Sequence, residues 1–262
     1  MYSNEHKLFL KKIKKNKLFV RIMQLFIIVF LLGIWELSAR LNLINTFISS
    51  SPSNIIKTII NLNNTNNLWN HVFITLYETT ISFVIGMIIG IFIATLMWWN
   101  NTFSKIIDPY LTILNSLPKV ALGPIIVIWV GANMSSIILM ALLISVIVTI
   151  INLHNGFNNI DKDKITLLKS LGAKKRQIYS YVMLPGSITT IISTLKINIS
   201  MSLIGVIMGE FLVSKEGIGY LIMYGSQVFN LNLVISGIVL LGVMATLLYY
   251  IVYYIEKKLI NF

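Results

Sequence analysis

Apolar runs of about 18 or more residues recur along this chain, each long enough to cross a hydrocarbon core of roughly 30 Å as a helix. A helix suits that solvent because it satisfies its own backbone hydrogen bonds where no water can do so. The runs predict six spans, at about 18–41, 72–99, 109–130, 134–154, 187–212 and 231–255. The expected fold class is therefore all-α, a polytopic membrane protein with about six transmembrane helices. A hydrophobic content of 56% and a mean hydropathy of +0.82 exceed what a soluble domain carries.

The net charge of +12 is distributed as membrane topology distributes it. Lys7, Lys11, Lys12, Lys14, Lys15, Lys17 and Arg21 open the chain. Lys105, the basic residues from Lys162 to Arg176, and Lys257 with Lys258 fall in segments on the same side. The opposite side holds Arg40, Lys57 and Lys215. Cationic segments resist translocation, which puts both termini in the cytoplasm and assigns the charge to the lipid bilayer, with no nucleic-acid partner. The run 18–41 exceeds a signal peptide's apolar region and lacks a small-residue cleavage site, so it reads as a retained first helix. Three regions follow: a basic tail, first span and outer loop over 1–65, a core over 66–256, and a short cytoplasmic tail over 257–262.

Several side chains stand out against this background. Asn42 to Asn70 is polar and turn-forming, with Ser49-Ser50-Ser51-Pro52, and belongs on the outer face. Gly86, Gly90 and Ala94 make a small-residue stripe on the second span. Pro118 and Pro124 should kink or interrupt the third, and broken helices in membranes line cavities. Thr189, Ser193, Lys196 and Ser200 form a polar stripe on the fifth. Glu210, 14 residues beyond Lys196, lies within about 40° of that face but roughly 21 Å farther along. Charges within a span are expensive, so Lys119, Lys196 and Glu210, with Ser193 and Ser200, are candidates for a pathway or gate. A structural partner across the bundle competes with that role for Lys196, and capping of loop amides competes for Glu210.

The chain contains no cysteine, and His6, His71 and His154 fall in the tail, outside and inside. They cannot share a metal, and no catalytic cluster at one membrane depth is visible. An ion-driven secondary transporter or channel is a rival reading, compatible with the broken third helix.

Asn155 to Pro185 is too polar for lipid yet patterned. Leu167, Leu168, Leu171, Ile178 and Val182 mark an apolar helical face interrupted by Gly172, which predicts two short helices with a glycine break. The pattern fits a knob offered to a cytoplasmic partner, and equally an amphipathic loop on the membrane surface.

Leu171-Gly172-Ala173, nine residues between Gly172 and Val182, and then Leu184-Pro185 resemble the EAA loop of ABC-importer permeases. Leu117-Pro118-Lys119-Val120-Ala121-Leu122-Gly123-Pro124, Gly209-Glu210-Phe211 and Gly217-Ile218-Gly219-Tyr220-Leu221 are similar to the branch handling sulfonates, taurine and nitrate. The likeness covers roughly 66–256 and departs at Thr166-Leu167-Leu168, where the loop's Glu-Ala-Ala should stand.

The resemblance implies a type I ABC-importer permease fold and a pathway for a small solute, such as a sulfonate, taurine or nitrate. It implies docking to a cytoplasmic ABC ATPase dimer through Leu168, Leu171, Gly172, Ala173, Lys174, Lys175 and Arg176, the three basic residues serving equally well on a membrane surface. A second permease copy or a related chain completes the pathway, a homodimer being the expectation. An extracytoplasmic solute-binding protein delivers the solute, with Lys215 to Tyr220 among the candidates to meet it. The chain has no G-x-x-x-x-G-K-[ST] loop, so ATP and Mg belong to the separate ATPase and no cofactor is expected here.

Overall fold

The structure, a computed structural model, describes residues 4–65 and 67–260. Residues 1–3 of the expected tail, Asn66 at the core boundary, Asn261 and Phe262 lie outside the described residues, as does the side chain of His6. In chain order the helices are α1 Asn4–Arg40, α2 Thr46–Ser49, α3 Pro52–Asn64, α4 Leu68–Trp99, α5 Asn101–Ser116 and α6 Gly123–Val130. They continue with α7 Met134–Asn158, α8 Lys162–Ser170, α9 Lys175–Ile178, α10 Leu184–Gly186, α11 Ile188–Val213, α12 Ile218–Gln227 and α13 Leu231–Ile260. Among the described residues five helices are long and apolar enough to span a membrane, and the bent pair α5–α6 makes a sixth.

The centre is α4, α7 and α11, packed together along their lengths. Lipid is as apolar as leucine, so close van der Waals packing, rather than burial as such, must hold these helices together. Small residues supply it. A Cβ at Gly209 would sit 2.9 Å from the Ile137 Cα, and one at Gly90 would overlap the Thr149 side chain. Gly86, Gly90 and Ala94, the predicted stripe, are all buried against α7 and α11. Ile199, Leu203, Ile218, Met244, Leu248 and Val252 join α13 and α12 to this trio.

The third span departs from expectation in both bounds and shape. Its first helix begins at Asn101, not near 109, because Asn100 caps it: the Asn100 Oδ1 accepts from the amides of Thr102 and Phe103 at 3.0 and 3.2 Å. Between Ser116 and Lys119 the chain turns through 87°, and a 3-10 turn over Lys119–Leu122 leads into α6. Pro118 sits at the break, whereas Pro124 lies in the first turn of α6, where its missing N–H costs nothing.

The outer segment also differs: much of 42–70 is helical. Ser51 caps α3 through its Oγ, Pro52 follows in the first turn, and Ile55 is buried beneath α13. Its asparagines hid a one-sided apolar face. α1 stands beside the bundle, its apolar window unburied within the chain. Its tie is Glu36, whose carboxylate accepts from the Ser53 amide and hydroxyl at 3.1 and 2.9 Å and from Arg40 at 2.8 Å.

Candidate functional site

The 155–185 segment folds as two short helices around a glycine. Asp161 caps α8 by accepting from the Asp163 amide at 2.9 Å. At the other end Gly172 adopts φ +76°, a conformation that penalises any Cβ. There the Gly172 amide bonds the Lys169 carbonyl at 2.9 Å, and the Ala173 amide bonds that of Leu168 at 3.0 Å. This closes the helix in a Schellman motif. The chain then restarts at α9, where the Gln177 side chain accepts from the Lys174 amide at 2.7 Å. A π-helical turn over Tyr179–Met183 and α10 lead into α11.

The loop has two faces. Leu168 and Ala173 turn inward with Ile165 against a cluster of Ala94, Leu153, Phe157, Ile178 and Met183. Leu167 and Leu171 point the other way, 61% and 73% exposed, with Gly172 open on its Cβ side. Lys174 and Arg176 are exposed, but Lys175 is committed: its Nζ donates to the Trp99 carbonyl at 2.5 Å and lies 5.7 and 5.9 Å from the Trp98 and Trp99 ring centres. Of the seven residues expected to form one docking patch, the structure leaves Leu171, Gly172, Lys174 and Arg176 together on the open face. Leu168 and Ala173 anchor the loop from behind.

At the opposite end of the bundle, α4 and α11 bring polar groups together around the start of α12. Glu210 is 1% exposed, and its Oε1 accepts from the Thr75 hydroxyl at 2.6 Å while its Oε2 accepts from the Gly219 amide at 2.5 Å. The Gly217 amide donates to His71 Nδ1 at 2.9 Å, and the Ile218 amide to Thr75 Oγ1 at 2.8 Å. A helix start leaves unsatisfied N–H groups, and here three side chains from two other helices take them up. Gly217, at φ +102°, and Gly219 leave room for the Glu210 carboxylate, which a Cβ at Gly219 would meet at 2.6 Å.

Glu78, also 1% exposed, adjoins Glu210, and its buried Oε2 has no hydrogen-bond partner among the described residues. It borders a pocket of about 500 Å³ shared with Asn133, Ser214, Lys215 and Glu216. Glu78 is not among the candidates named from the sequence, although a carboxylate inside the predicted second span is the same signal as Glu210 in the fifth.

The remaining candidates are dispersed. Lys196 donates to Glu256 Oε2 at 2.6 Å and lies 5.7 and 5.8 Å from the Tyr249 and Tyr253 ring centres, so its charge is matched by α13. Glu256, 60 residues away, carried no local signal. Ser193 and Ser200 bond back to the carbonyls of Thr189 and Lys196 at 2.8 and 3.1 Å and remain exposed on α11. Lys119 Nζ donates to the Asn115 carbonyl at 3.0 Å, a carbonyl of the last turn of α5 released by the break. The structure does not bring Lys119, Lys196 and Glu210 into one site. His71 and His154 lie within α4 and α7, His154 within 3.0 Å of Ser104 and Asn158.

Five or six membrane-length helices packed around α4, α7 and α11, with a polar loop anchored at one end, define a polytopic helical membrane protein. The chain belongs to the family of binding-protein-dependent transport system inner membrane components, whose profile matches residues 86–261. It is a membrane permease subunit of an ATP-driven ABC importer, and ATP hydrolysis in such systems resides on a separate chain.

Among relatives, an aliphatic sulfonates transport permease (SsuC) of Bacillus subtilis is 26% identical over 231 residues, 88% of this chain and 84% of that one. The formylaminopyrimidine transport permease ThiX of Halalkalibacterium halodurans is 28% identical over 190 residues, 72% and 75% of the two chains. The taurine transport system permease TauC of Escherichia coli is 24% identical over 223 residues, 83% and 81%. The fold matches a chain of the inward-facing MetNI methionine ABC transporter at TM-score 0.65 and 20% identity, covering 73% of this chain and 95% of that one. It also matches a chain of a bacterial ABC transporter importing alginate at TM-score 0.65 and 15% identity, covering 95% and 98%. The type I importer fold expected from the sequence is the fold observed.

Proposed function

We propose that this permease works as a homodimer in the cytoplasmic membrane, with both termini and the 155–185 loop in the cytoplasm. Each loop seats its tip in a cleft of one subunit of an ATPase dimer. The observation that carries this is the tip itself: Leu167, Leu171 and Gly172 lie open to solvent on a loop whose other face is anchored by Leu168 and Ala173. Two exposed leucines on a segment too polar for lipid suit a protein cleft better than a membrane surface. ATP and Mg are used by the ATPase, and this chain binds no cofactor. The exposed Thr189, Ser193 and Ser200 on α11 suit a polar face that a second copy would enclose to complete the pathway.

A solute-binding protein docks at the end bearing α12 and delivers the cargo. We infer a small anion such as a sulfonate, taurine or nitrate, on the strength of the sulfonate and taurine relatives. A pyrimidine-like nitrogen compound is a second reading, favoured by two features. Lys196 is neutralised by Glu256, and the groups buried together at the outer end, Glu78 and Glu210, are carboxyls and not ammonium groups. Thermal-shift screening of the solute-binding protein that serves this permease separates them. Stabilisation by taurine or an alkanesulfonate supports the anion, and stabilisation by formylaminopyrimidine replaces it.

A further inference from the structure

The 155–185 loop is joined through the backbone to α7 and α11, but its tightest polar tie is to a helix with which it shares no chain connection. Lys175 Nζ reaches the Trp99 carbonyl at the last turn of α4, where a cation also complements the helix dipole, and sits over the Trp98 and Trp99 rings. Tyr179 completes the clamp. Its hydroxyl bonds Thr95 Oγ1 at 2.8 Å, and its ring lies 5.3 Å from Trp98, 6.1 Å from Trp99 and 6.4 Å from Phe157. Ile178 and Met183 pack behind it against Ala94.

The same helix α4 carries, near its other end, His71 and Thr75, which bind the first amides of α12, and Glu78 beside Glu210. At 1.5 Å per residue, its 32 residues extend roughly 48 Å, about the thickness of a bilayer. One continuous helix therefore grips the cytoplasmic loop at one end and the α12 turn at the other.

We propose that Lys175 and Tyr179 are positioning residues that make α4 a connecting rod, so that motion imposed on the loop displaces α12 at the outer end. Lys175 acts through the end of α4 rather than by touching the ATPase. This rests on the reading of the chain as an ATPase-driven permease.

The native sequence has no cysteine, so a single reporter can be introduced cleanly. Gln227→Cys, exposed at the end of α12, is placed in the full chain assembled with its ATPase in lipid nanodiscs. Its maleimide labelling rate is measured without nucleotide and with ATP plus orthovanadate. The expected result is a nucleotide-dependent rate change that Lys175→Met reduces at least about fivefold and Lys175→Arg preserves. In proteoliposomes Lys175→Met also lowers uptake per ATP hydrolysed about tenfold, while the yield of assembled complex is unchanged. A merely structural lysine would lower assembly and leave that ratio alone. Tyr179→Phe, which deletes only the hydroxyl bonded to Thr95, should give a smaller loss in the same direction, and keeps the test available should Lys175→Met not assemble.

A full labelling response and full uptake per ATP in both variants would overturn the rod. No ATPase association and no nucleotide response in the Gln227→Cys parent would instead overturn the importer reading, and the rod with it.

Discussion

The loop over 162–178 and the cluster around Glu210 meet opposite ends of α4 and are built in opposite ways. The loop keeps its polar groups in water, leaves two leucines bare and hides only its back face. The cluster is closed to solvent: Thr75, Glu78, Glu210, Gly217 and Gly219 are all buried, and the first amides of α12 are held by Thr75, His71 and Glu210, while the Glu78 Oε2 has no partner among the described residues. A surface left unfinished in one chain is one a partner completes. A helix start whose first amides are all bonded within the chain sets geometry. The contrast supports the proposal that the loop end docks the ATPase and the α12 end is the rigid one.

The largest expected effect falls on the rigid end. Glu210→Ala strips acceptors from the Gly219 amide and the Thr75 hydroxyl in a site that excludes water, at about 1–3 kcal/mol per orphaned group. A large drop in the detergent melting temperature is expected, together with lost uptake. A variant as stable as the parent would dissolve the distinction between the two ends.

At the docking end the signature is reversed, with function lost and fold kept. Gly172→Asp places a charge where nothing lies within 4 Å and where φ is +76°, so it costs roughly 1–2 kcal/mol of local strain without a clash. It should reduce uptake about tenfold or more while the chain still reaches the membrane and melts near the parent temperature. Normal uptake with this variant would count heavily against the loop's assignment.

Leu171→Asp sharpens the same point within the loop. Truncating an exposed anchor should weaken ATPase association by about tenfold, measured by titrating the ATPase onto the permease in nanodiscs. Leu168→Asp instead should melt the loop, because Leu168 packs inward. Equal behaviour of the two leucines would erase the two-faced description.

The smallest expected effect concerns the α11–α13 pair. Lys196→Glu should impair uptake and the double variant Lys196→Glu/Glu256→Lys should restore part of it, since the two side chains bond at 2.6 Å. If the swap restores nothing, Lys196 serves something other than Glu256.

Much of the fold was legible in the sequence because the bilayer demands long apolar helices, and periodicity with Gly172 reported the two short helices of the loop. What escaped did so for specific reasons. α3 was hidden by its asparagines, although Ile55 and the Ser51-Pro52 start marked it. The start of α5 was missed because Asn100 to Asp108 is polar, and side-chain capping rather than hydropathy fixes it. Glu256 as the partner of Lys196, and Trp99 as the partner of Lys175, depend on helices meeting across 60 and 76 residues of chain, which no local pattern encodes. The seven-residue docking patch read from the loop motif divided into an outward tip and an inward anchor, a distinction that needs the direction of each side chain.

Reconstitution into liposomes with an internal binding-protein reservoir removed, and with the ATPase present or omitted, bears most directly on the whole account. Accumulation of labelled solute should require the ATPase, hydrolysable ATP and the external binding protein together. Accumulation by this chain alone under an ion gradient would show a secondary transporter instead.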